Sequence, residues 1–173
     1  MDVDSVNEKE NDMQKVIFCY IFPQAKKPIL ATQNSAAYDV FSCTKRAIEP
    51  GHREKFSLGF QMKLPEGYCA KLYGRSGMTA KHGIHLPGGV SIIDEDFLGP
   101  VSLYLQNSDL SKQYEIKICD RIVQMMIEKV QEVKWVEGTV DDFNIEETDV
   151  NEACDCPAAK NIRNLKGYGI TGI

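Results

Sequence analysis

Most features that assign a protein class at once are absent from this 173-residue sequence. Its 20 lysines and arginines do not outnumber its 25 aspartates and glutamates, and the net charge of −5 argues against a general affinity for nucleic acid or an anionic membrane. No apolar run approaches the length of a membrane span. The acidic start Met1–Ser5 does not have the apolar core of a signal peptide. We therefore expect an intracellular protein, cytoplasmic or nuclear, that binds neither nucleic acid nor membrane.

The six cysteines have no spacing typical of a disulfide framework, so we expect reduced and buried thiols. Cys154 and Cys156 are the one pair spaced like a metal clip. No third and fourth ligand follow at a suitable distance, which makes zinc a weak hypothesis. A glycine-rich strand-to-helix signature is also missing, so neither a dinucleotide fold nor a P-loop is supported.

The length fits one domain with a substantial core, and the composition changes at both ends. Residues 1–14 are charged or polar and are predicted to be disordered. Residues 15–131 predict the folded core. Residues 132–161 predict an acidic, insert-like arm that could dock a protein partner, and residues 162–173 predict a glycine-rich lid.

Short β-prone runs separated by turns fill the central segment, and helical periodicity is weak apart from a turn or two around Met78–His82. Val16–Phe22 predicts a buried strand, and Lys55–Leu64 alternates as in a sheet with one wet face. Gly88–Gly99 predicts a β-hairpin whose tip carries three acids. This pattern indicates an all-β barrel or sandwich.

Five short segments carry a more specific signal. They are Ala37-Tyr38-Asp39, Gly74-Arg75-Ser76-Gly77, Ile93-Asp94-Glu95-Asp96-Phe97, Asp120-Arg121-Ile122-Val123-Gln124 and the tail Arg163–Gly172. In this order and spacing they resemble the five motifs of the trimeric dUTPases, the dUTP nucleotidohydrolases, over the chain from about Val16 to Ile173. The resemblance implies a distorted jelly-roll-like β-barrel and a homotrimer whose C-terminal tail crosses to a neighbouring subunit. It also implies Mg²⁺-dependent hydrolysis of dUTP to dUMP and pyrophosphate, which limits uracil in DNA and supplies dUMP for dTTP synthesis.

The resemblance implies a role for each matching residue. Asp94 would activate the water that attacks the α-phosphorus, and Asp39 would act near the Mg²⁺ of the triphosphate, through water. Asp120 and Arg121 would be structural, as an ion pair at a subunit contact. The substrate-binding residues would be Arg75, Ser76, Gly77 and Gln124 for the phosphates, Gly89, Ser91, Ile92 and Ile93 for uracil, Phe97 for deoxyribose, and Arg163, Tyr168 and Gly169 in the tail.

Several positions depart from the family pattern. Phe97 stands where tyrosine is usual, and Tyr168 stands where phenylalanine is usual. Ile170 replaces a small hydroxyl residue, and Asn164 and Lys166 fill places where glycine is common. None of these changes removes Asp94 or a phosphate-binding group, so we expect a working enzyme with an altered lid.

Three other interpretations stay open. A relative that deaminates dCTP shares the fold, but the Arg75-Ser76-Gly77 motif and the aromatic lid favour the hydrolase. A binding or signalling module on the same fold, with weak or no catalysis, is disfavoured by the intact Asp94. A structural β-barrel with coincidental motifs is disfavoured by five motifs in register.

Overall fold

We describe the protein from a computed structural model, which defines residues 14–138. The chain divides into two units, Met1–Gln131 and Glu132–Ile173. The first unit contains every strand and the helix of the described residues. In the second unit, residues 132–138 are described and form no regular secondary structure. The predicted disorder of residues 1–14, the rest of the acidic arm and the lid at residues 162–173 lie outside the described residues.

Twelve strands and one short helix make up the described part of the first unit. They are β1 Ile17–Tyr20, β2 Ile29–Leu30, β3 Tyr38–Phe41, β4 Arg46–Ile48, β5 Arg53–Ser57, β6 Phe60–Lys63, β7 Tyr68–Gly74, α1 Ser76–His82, β8 Ile84–His85, β9 Val90–Ile93, β10 Ser102–Asn107, β11 Tyr114–Ile116 and β12 Arg121–Lys129. The predicted fold class, an all-β jelly-roll-like architecture, is confirmed. The helix covers the expected turns at Met78–His82 and begins two residues earlier.

Every strand pair is antiparallel, and the strands form four sheets. The largest sheet has the order β2-β3-β12-β7-β9, and a second has the order β5-β10-β8. Strands β1 and β6 form one two-stranded sheet, and β4 and β11 form another. Strand β12 therefore lies at the centre of the largest sheet, between β3 and β7.

A single hydrophobic cluster lies between these sheets. Its fully buried large side chains are Phe56, Phe60, Ile48, Leu58, Leu72, Ile84, Leu105, Ile116, Ile122, Val40, Val101 and Val123. The alternation predicted over Lys55–Leu64 is confirmed, because its apolar side chains all face the core. They are Phe56, Leu58, Phe60, Met62 and Leu64. The segment forms two strands instead of one, since Gly59 takes a left-handed φ of +76° between β5 and β6.

Two predictions about strands are wrong. Strand β1 is not buried: Ile17 and Tyr20 are 65% and 56% exposed, because β1 pairs with β6 alone among the described strands. The stretch Gly88–Gly99 does not form a β-hairpin, since β9 pairs with β7 while β10 pairs with β5 and β8. Alternating hydrophobicity identifies a strand and its faces, but it does not identify the strand beside it.

The described cysteines are free thiols. Cys43 and Cys69 are buried as expected, but Cys19 is exposed, which corrects that prediction. Burial raises the pKa of the Cys43 thiol, with a smaller contribution from Cys119, so this thiol stays protonated near neutral pH. Cys154 and Cys156 lie outside the described residues. Within residues 14–138, no helix has the length and apolar character needed to cross a membrane.

Replacing Gly59 by alanine should lower the free energy of unfolding by at least about 2 kcal/mol, because the left-handed conformation costs about 1 kcal/mol and overpacking about 1–3 kcal/mol. A Cβ at this position would lie 2.6 Å from Cys43 Sγ and 2.7 Å from Ala25 Cβ. Gly67→Ala is the matched control, since its φ is +73° and no atom lies within 4 Å of the added Cβ. Equal losses for both variants in denaturant unfolding would contradict the close packing around Gly59.

Candidate functional site

A pocket of about 160 Å³ opens beside strand β9. Its lining residues are Leu72, Ser91, Ile92, Ile93, Asp94, Phe97, Pro100, Val101 and Ser102. Five of these were predicted from the sequence as site residues, namely Ser91, Ile92, Ile93, Asp94 and Phe97. The structure therefore brings the predicted catalytic carboxylate and the predicted nucleoside-binding residues to one cavity.

Strand β9 forms one edge of the five-stranded sheet as the described residues define it. It pairs with β7 from Tyr73↔Val90 to Ala70↔Ile93, so its other side presents backbone N–H and C=O groups without a strand partner. Gly89, with a φ of +74°, lets the chain turn into this strand. A planar base with alternating donors and acceptors can bind such an edge as an added strand does.

The loop that follows β9 carries the acids. Phe97 N donates to Asp94 O at 3.2 Å, which closes a turn. The Glu95 carboxylate accepts a hydrogen bond from Gly67 N in the turn between β6 and β7. This contact joins residues far apart in sequence, and the sequence analysis missed it because neither residue has a local signal for the pairing. The structure thus assigns Glu95 to holding the loop that presents Asp94.

The surroundings of Asp94 are apolar only in part. Ile93 is 7% exposed and lines the pocket with Asp94. Ile92 also lines the pocket but is 62% exposed, and Val90 lies on the outer side of the sheet. Asp94 itself is exposed in the single chain. The apolar residues beside Asp94 therefore shield it only in part within the single chain.

A second group of predicted residues surrounds Asp39. Its side chain is only 3% exposed and contacts two arginines: Arg121 Nη1 lies 2.9 Å from Asp39 Oδ2, and Arg75 Nε lies 3.4 Å from Asp39 Oδ1. Arg75 Nη1 also donates to the Arg121 carbonyl oxygen at 2.9 Å. The expected Asp120–Arg121 ion pair is wrong, since Arg121 binds Asp39 and the Asp120 carboxylate accepts from Lys117 N at 2.8 Å. We call Asp39, Arg75 and Arg121 the arginine cluster.

Two elements, β12 and α1, place the other predicted phosphate-binding residues near this cluster. On β12, Gln124 lies directly opposite Asp39 of β3 and Tyr73 of β7, and directly opposed residues share a face of a sheet. Ser76 begins α1 immediately after Arg75, and Gly77 follows it. Burial of Met78 holds this short helix on the core.

The arginine cluster lies on one face of the five-stranded sheet, whereas the pocket opens at the β9 edge and lies mostly on the core face; of its β9 residues, Ile92 shares the face of Tyr73. Gln124 and Tyr73 face the arginine cluster, whereas Leu72 and Ile93 face the core and the pocket. Successive residues of a strand point to opposite sides. The described residues of one chain therefore do not bring Asp94 and Arg75 to a common cavity.

The residues around Asp39 do not fit a metal site. Each carboxylate oxygen has a guanidinium nitrogen within 4 Å, although the buried Oδ1 accepts no hydrogen bond from the described residues. A divalent cation beside two positive charges is repelled. Among residues 14–138, no group of three or more histidine, cysteine, aspartate or glutamate side chains is arranged to hold a metal ion. The assignment of Asp39 to magnesium thus stays a prediction that its charge environment does not favour.

A model of one protein family, dUTPase, matches residues 23–152, which is most of the chain. The chain belongs to the dUTPase family. Two relatives described as deoxyuridine 5′-triphosphate nucleotidohydrolases match along nearly their whole length. The protein of Fowlpox virus is 31% identical over 161 residues, which span 93% of this chain and 99% of the relative. The protein of Corynebacterium diphtheriae is 29% identical over 167 residues, which span 95% and 99%.

Solved structures of dUTPases have a similar fold. A variant dUTPase of Staphylococcus bacteriophage 80alpha with dUpNHpp has a TM-score of 0.66 at 20% identity, and the match covers 74% of this chain and 99% of that one. A variant dUTPase of the S. aureus phage phi11, described with a structural Mg(II) ion, has a TM-score of 0.64 at 22% identity and covers 72% and 97%. The dUTPase fold is thus shared, while Arg163, Tyr168 and Gly169 of the predicted lid lie outside the described residues.

Replacing Glu95 by alanine should raise the hydrogen-exchange rate of the Gly67 amide by about threefold or more, because that amide loses a charged acceptor. Asp96→Ala is the matched control, since Asp96 is an equally exposed acid of the same loop and makes no hydrogen bond or ion pair within residues 14–138. Exchange measured by NMR or mass spectrometry checks this. An unchanged Gly67 rate in the Glu95 variant would contradict the contact.

Proposed function

We propose that this member of the dUTPase family hydrolyses dUTP to dUMP and pyrophosphate, with Asp94 activating the attacking water. The observation that carries the proposal is the pocket in which Asp94 lies beside the open edge of β9 and the ring of Phe97. The reaction would limit uracil in DNA and supply dUMP for dTTP synthesis. The names of the Fowlpox virus and Corynebacterium diphtheriae relatives support this reaction.

The edge of β9 supports uracil as the base. Backbone groups from Gly89 to Ile93 would pair with the uracil edge, and cytosine would present mismatched donors and acceptors there. Phe97 contributes the sugar filter, because its ring in the pocket would leave no room for a ribose 2′-hydroxyl. That ring is confined on its other side by the backbone at Gly99, where a Cβ would lie 3.1 Å from Phe97 Cζ.

The chemistry requires a base on one side of the α-phosphorus and charge stabilisation around the phosphates. The Asp94 carboxylate would take a proton from water as its oxygen forms a bond to the α-phosphorus. The bond from that phosphorus to the bridging α,β-oxygen breaks, and pyrophosphate leaves. Arg75 offers a planar fork of donors for the phosphate chain, Ser76 offers a hydroxyl, and Gln124 offers its side-chain amide.

Assembly of several copies would complete this site. Arg75 does not line the pocket that contains Asp94, and this pocket lies mostly on the face of the sheet away from the arginine cluster, so a catalytic centre that uses both residues would require two chains. A homotrimer satisfies this requirement because cyclic symmetry places one face of each subunit against the other face of the next. The predicted lid, with Arg163 and Tyr168, would come from a neighbouring subunit in the same assembly.

Magnesium would reach the site with the substrate. Mg²⁺ prefers oxygen ligands and is commonly bound by substrate phosphates with few protein carboxylates, and the described residues hold no preformed group of metal ligands. When bound, the ion would neutralise part of the phosphate charge. A structural Mg(II) ion in the phage phi11 dUTPase supports a role for this metal in the family.

Release of pyrophosphate from dUTP, dCTP, dTTP and UTP, each with Mg²⁺ and with EDTA, tests the proposed function. We expect pyrophosphate to be released from dUTP alone, because the edge of β9 would select uracil and Phe97 would select deoxyribose in the same pocket. Chelation of Mg²⁺ should suppress this release. Tight dUTP binding without release from any nucleotide would overturn hydrolysis and leave a binding or signalling module. Ammonia release from dCTP would place the protein with the deaminating relatives.

Asp94→Asn should lower the turnover number for dUTP by roughly a thousandfold or more, because the amide cannot accept the proton of the attacking water. The affinity for a nonhydrolysable dUTP analogue and the unfolding temperature should change little, since Asp94 is exposed. Asp96→Asn, the same substitution two residues away, is the matched control and should keep normal turnover. Normal turnover in the Asp94 variant would rule out Asp94 as the base.

A further inference from the structure

We infer that Asp39 is a positioning residue that holds Arg75 and Arg121 for the triphosphate and takes no part in metal binding. This inference rests on the proposed function, since it assigns the arginine cluster to the phosphates of dUTP. It replaces the magnesium role that the sequence resemblance implies for Asp39.

The first observation is the burial of Asp39. Its side chain is 3% exposed, whereas the side chains of Arg75 and Arg121 are 26% and 48% exposed. A buried carboxylate is stable when it is paired; Arg121 donates a hydrogen bond to Oδ2, and Arg75 adds an ion pair at 3.4 Å to Oδ1, which accepts no hydrogen bond from the described residues. Both arginine side chains are more exposed than Asp39, so a ligand reaches the arginines before it reaches Asp39.

The second observation is the balance of charge. Two guanidinium groups lie against one carboxylate, so the arginine cluster carries one more positive than negative charge. Such a cluster attracts a polyanion such as a triphosphate and repels Mg²⁺. A water molecule bound to the metal would also compete with Arg121 Nη1, which lies at 2.9 Å from Asp39 Oδ2.

The third observation is the geometry of Arg75. Its Nε lies 3.4 Å from Asp39 Oδ1, and its Nη1 donates to the Arg121 carbonyl oxygen. These two contacts fix the plane of the guanidinium and leave its Nη2 without a partner within residues 14–138. Arginine loses much side-chain entropy when it is ordered. An arginine that is already oriented before the substrate arrives binds phosphate with a smaller entropic cost.

The fourth observation is the position of the carboxylate in the sheet. Asp39 is fixed on β3 by the pairing of β3 with β12, directly opposite Gln124. Arg75 follows the last residue of β7, and Arg121 is the first residue of β12. Asp39 therefore joins the ends of two strands that carry predicted phosphate-binding groups, which is the placement expected of a positioning residue.

Binding of the nonhydrolysable analogue α,β-imido-dUTP, measured by calorimetry with Mg²⁺ and again with EDTA, separates the two roles of Asp39. Removing the buried negative charge and turning one acceptor into an amide donor loosens the hold on Arg75, so Asp39→Asn should weaken binding by about tenfold in EDTA as well as in Mg²⁺. A metal role predicts weaker binding in Mg²⁺ only. Equal affinities of wild type and Asp39→Asn in EDTA would therefore overturn the inference.

A double-mutant cycle tests whether Asp39 acts through Arg75. In an Arg75→Ala background, Asp39→Asn should weaken analogue binding in EDTA by clearly less than it does in the wild-type background, because one of the two arginines that it positions is gone. Additive losses would contradict positioning. Failure of the wild-type protein to bind the analogue under both conditions would instead overturn the proposed function, so the two failures are distinguishable.

Arg121→Met provides a second variant if Asp39→Asn does not fold, as judged by thermal unfolding and chromatography. Arg121 is half exposed, and Asp39 keeps Arg75 as its partner in this variant. Loss of one positive charge should weaken analogue binding in EDTA by about tenfold. If Asp39 serves the metal and Arg121 does not contact the phosphates, no loss is expected in EDTA, because no metal is then present. Unchanged binding in EDTA would thus overturn the inference.

Discussion

The pairing of β12 with β3 on one side and β7 on the other determines where the functional groups of this dUTPase-family chain lie. Side chains alternate across a sheet, so Gln124 shares a face with Asp39 and Tyr73 while Leu72 faces the core. Strand β9 continues the same sheet beyond β7 and ends at Ile93, immediately before Asp94. The pocket beside β9 therefore lies mostly on the core side of the sheet, and the arginine cluster lies on the other side.

The arginine cluster and the pocket differ in charge. The arginine cluster keeps a buried carboxylate, Asp39, between two arginines, and its excess positive charge suits a polyanion. The pocket combines an exposed carboxylate, Asp94, with an aromatic ring and an open strand edge. The arginine cluster therefore offers charge, whereas the pocket offers an apolar shape and the polar backbone groups of a strand edge. Glu95 links the loop that presents Asp94 to the rest of the fold through Gly67.

The sequence predicted the all-β fold and the convergence of Asp94 and Phe97 on one pocket, because local alternation and short motifs carry that information. It did not predict the partners of strands or side chains. The sequence pattern pairs β9 with β10 in a hairpin, whereas in the structure β9 pairs with β7. Arg121 pairs with Asp39, which is remote in sequence, and not with its neighbour Asp120. Long-range pairing depends on the tertiary arrangement, which neither periodicity nor motif spacing encodes.

Subunit mixing tests the central claim that one site uses opposite faces of two chains. Asp94→Asn and Arg75→Ala homo-oligomers should each be nearly inactive on dUTP. Joint refolding of the two variants should restore about a quarter of wild-type pyrophosphate release, because each mixed trimer with cyclic symmetry contains one site with both intact residues. Continued inactivity of mixed trimers, with subunit exchange verified by mass spectrometry, would show that both residues act within one chain and would contradict the account.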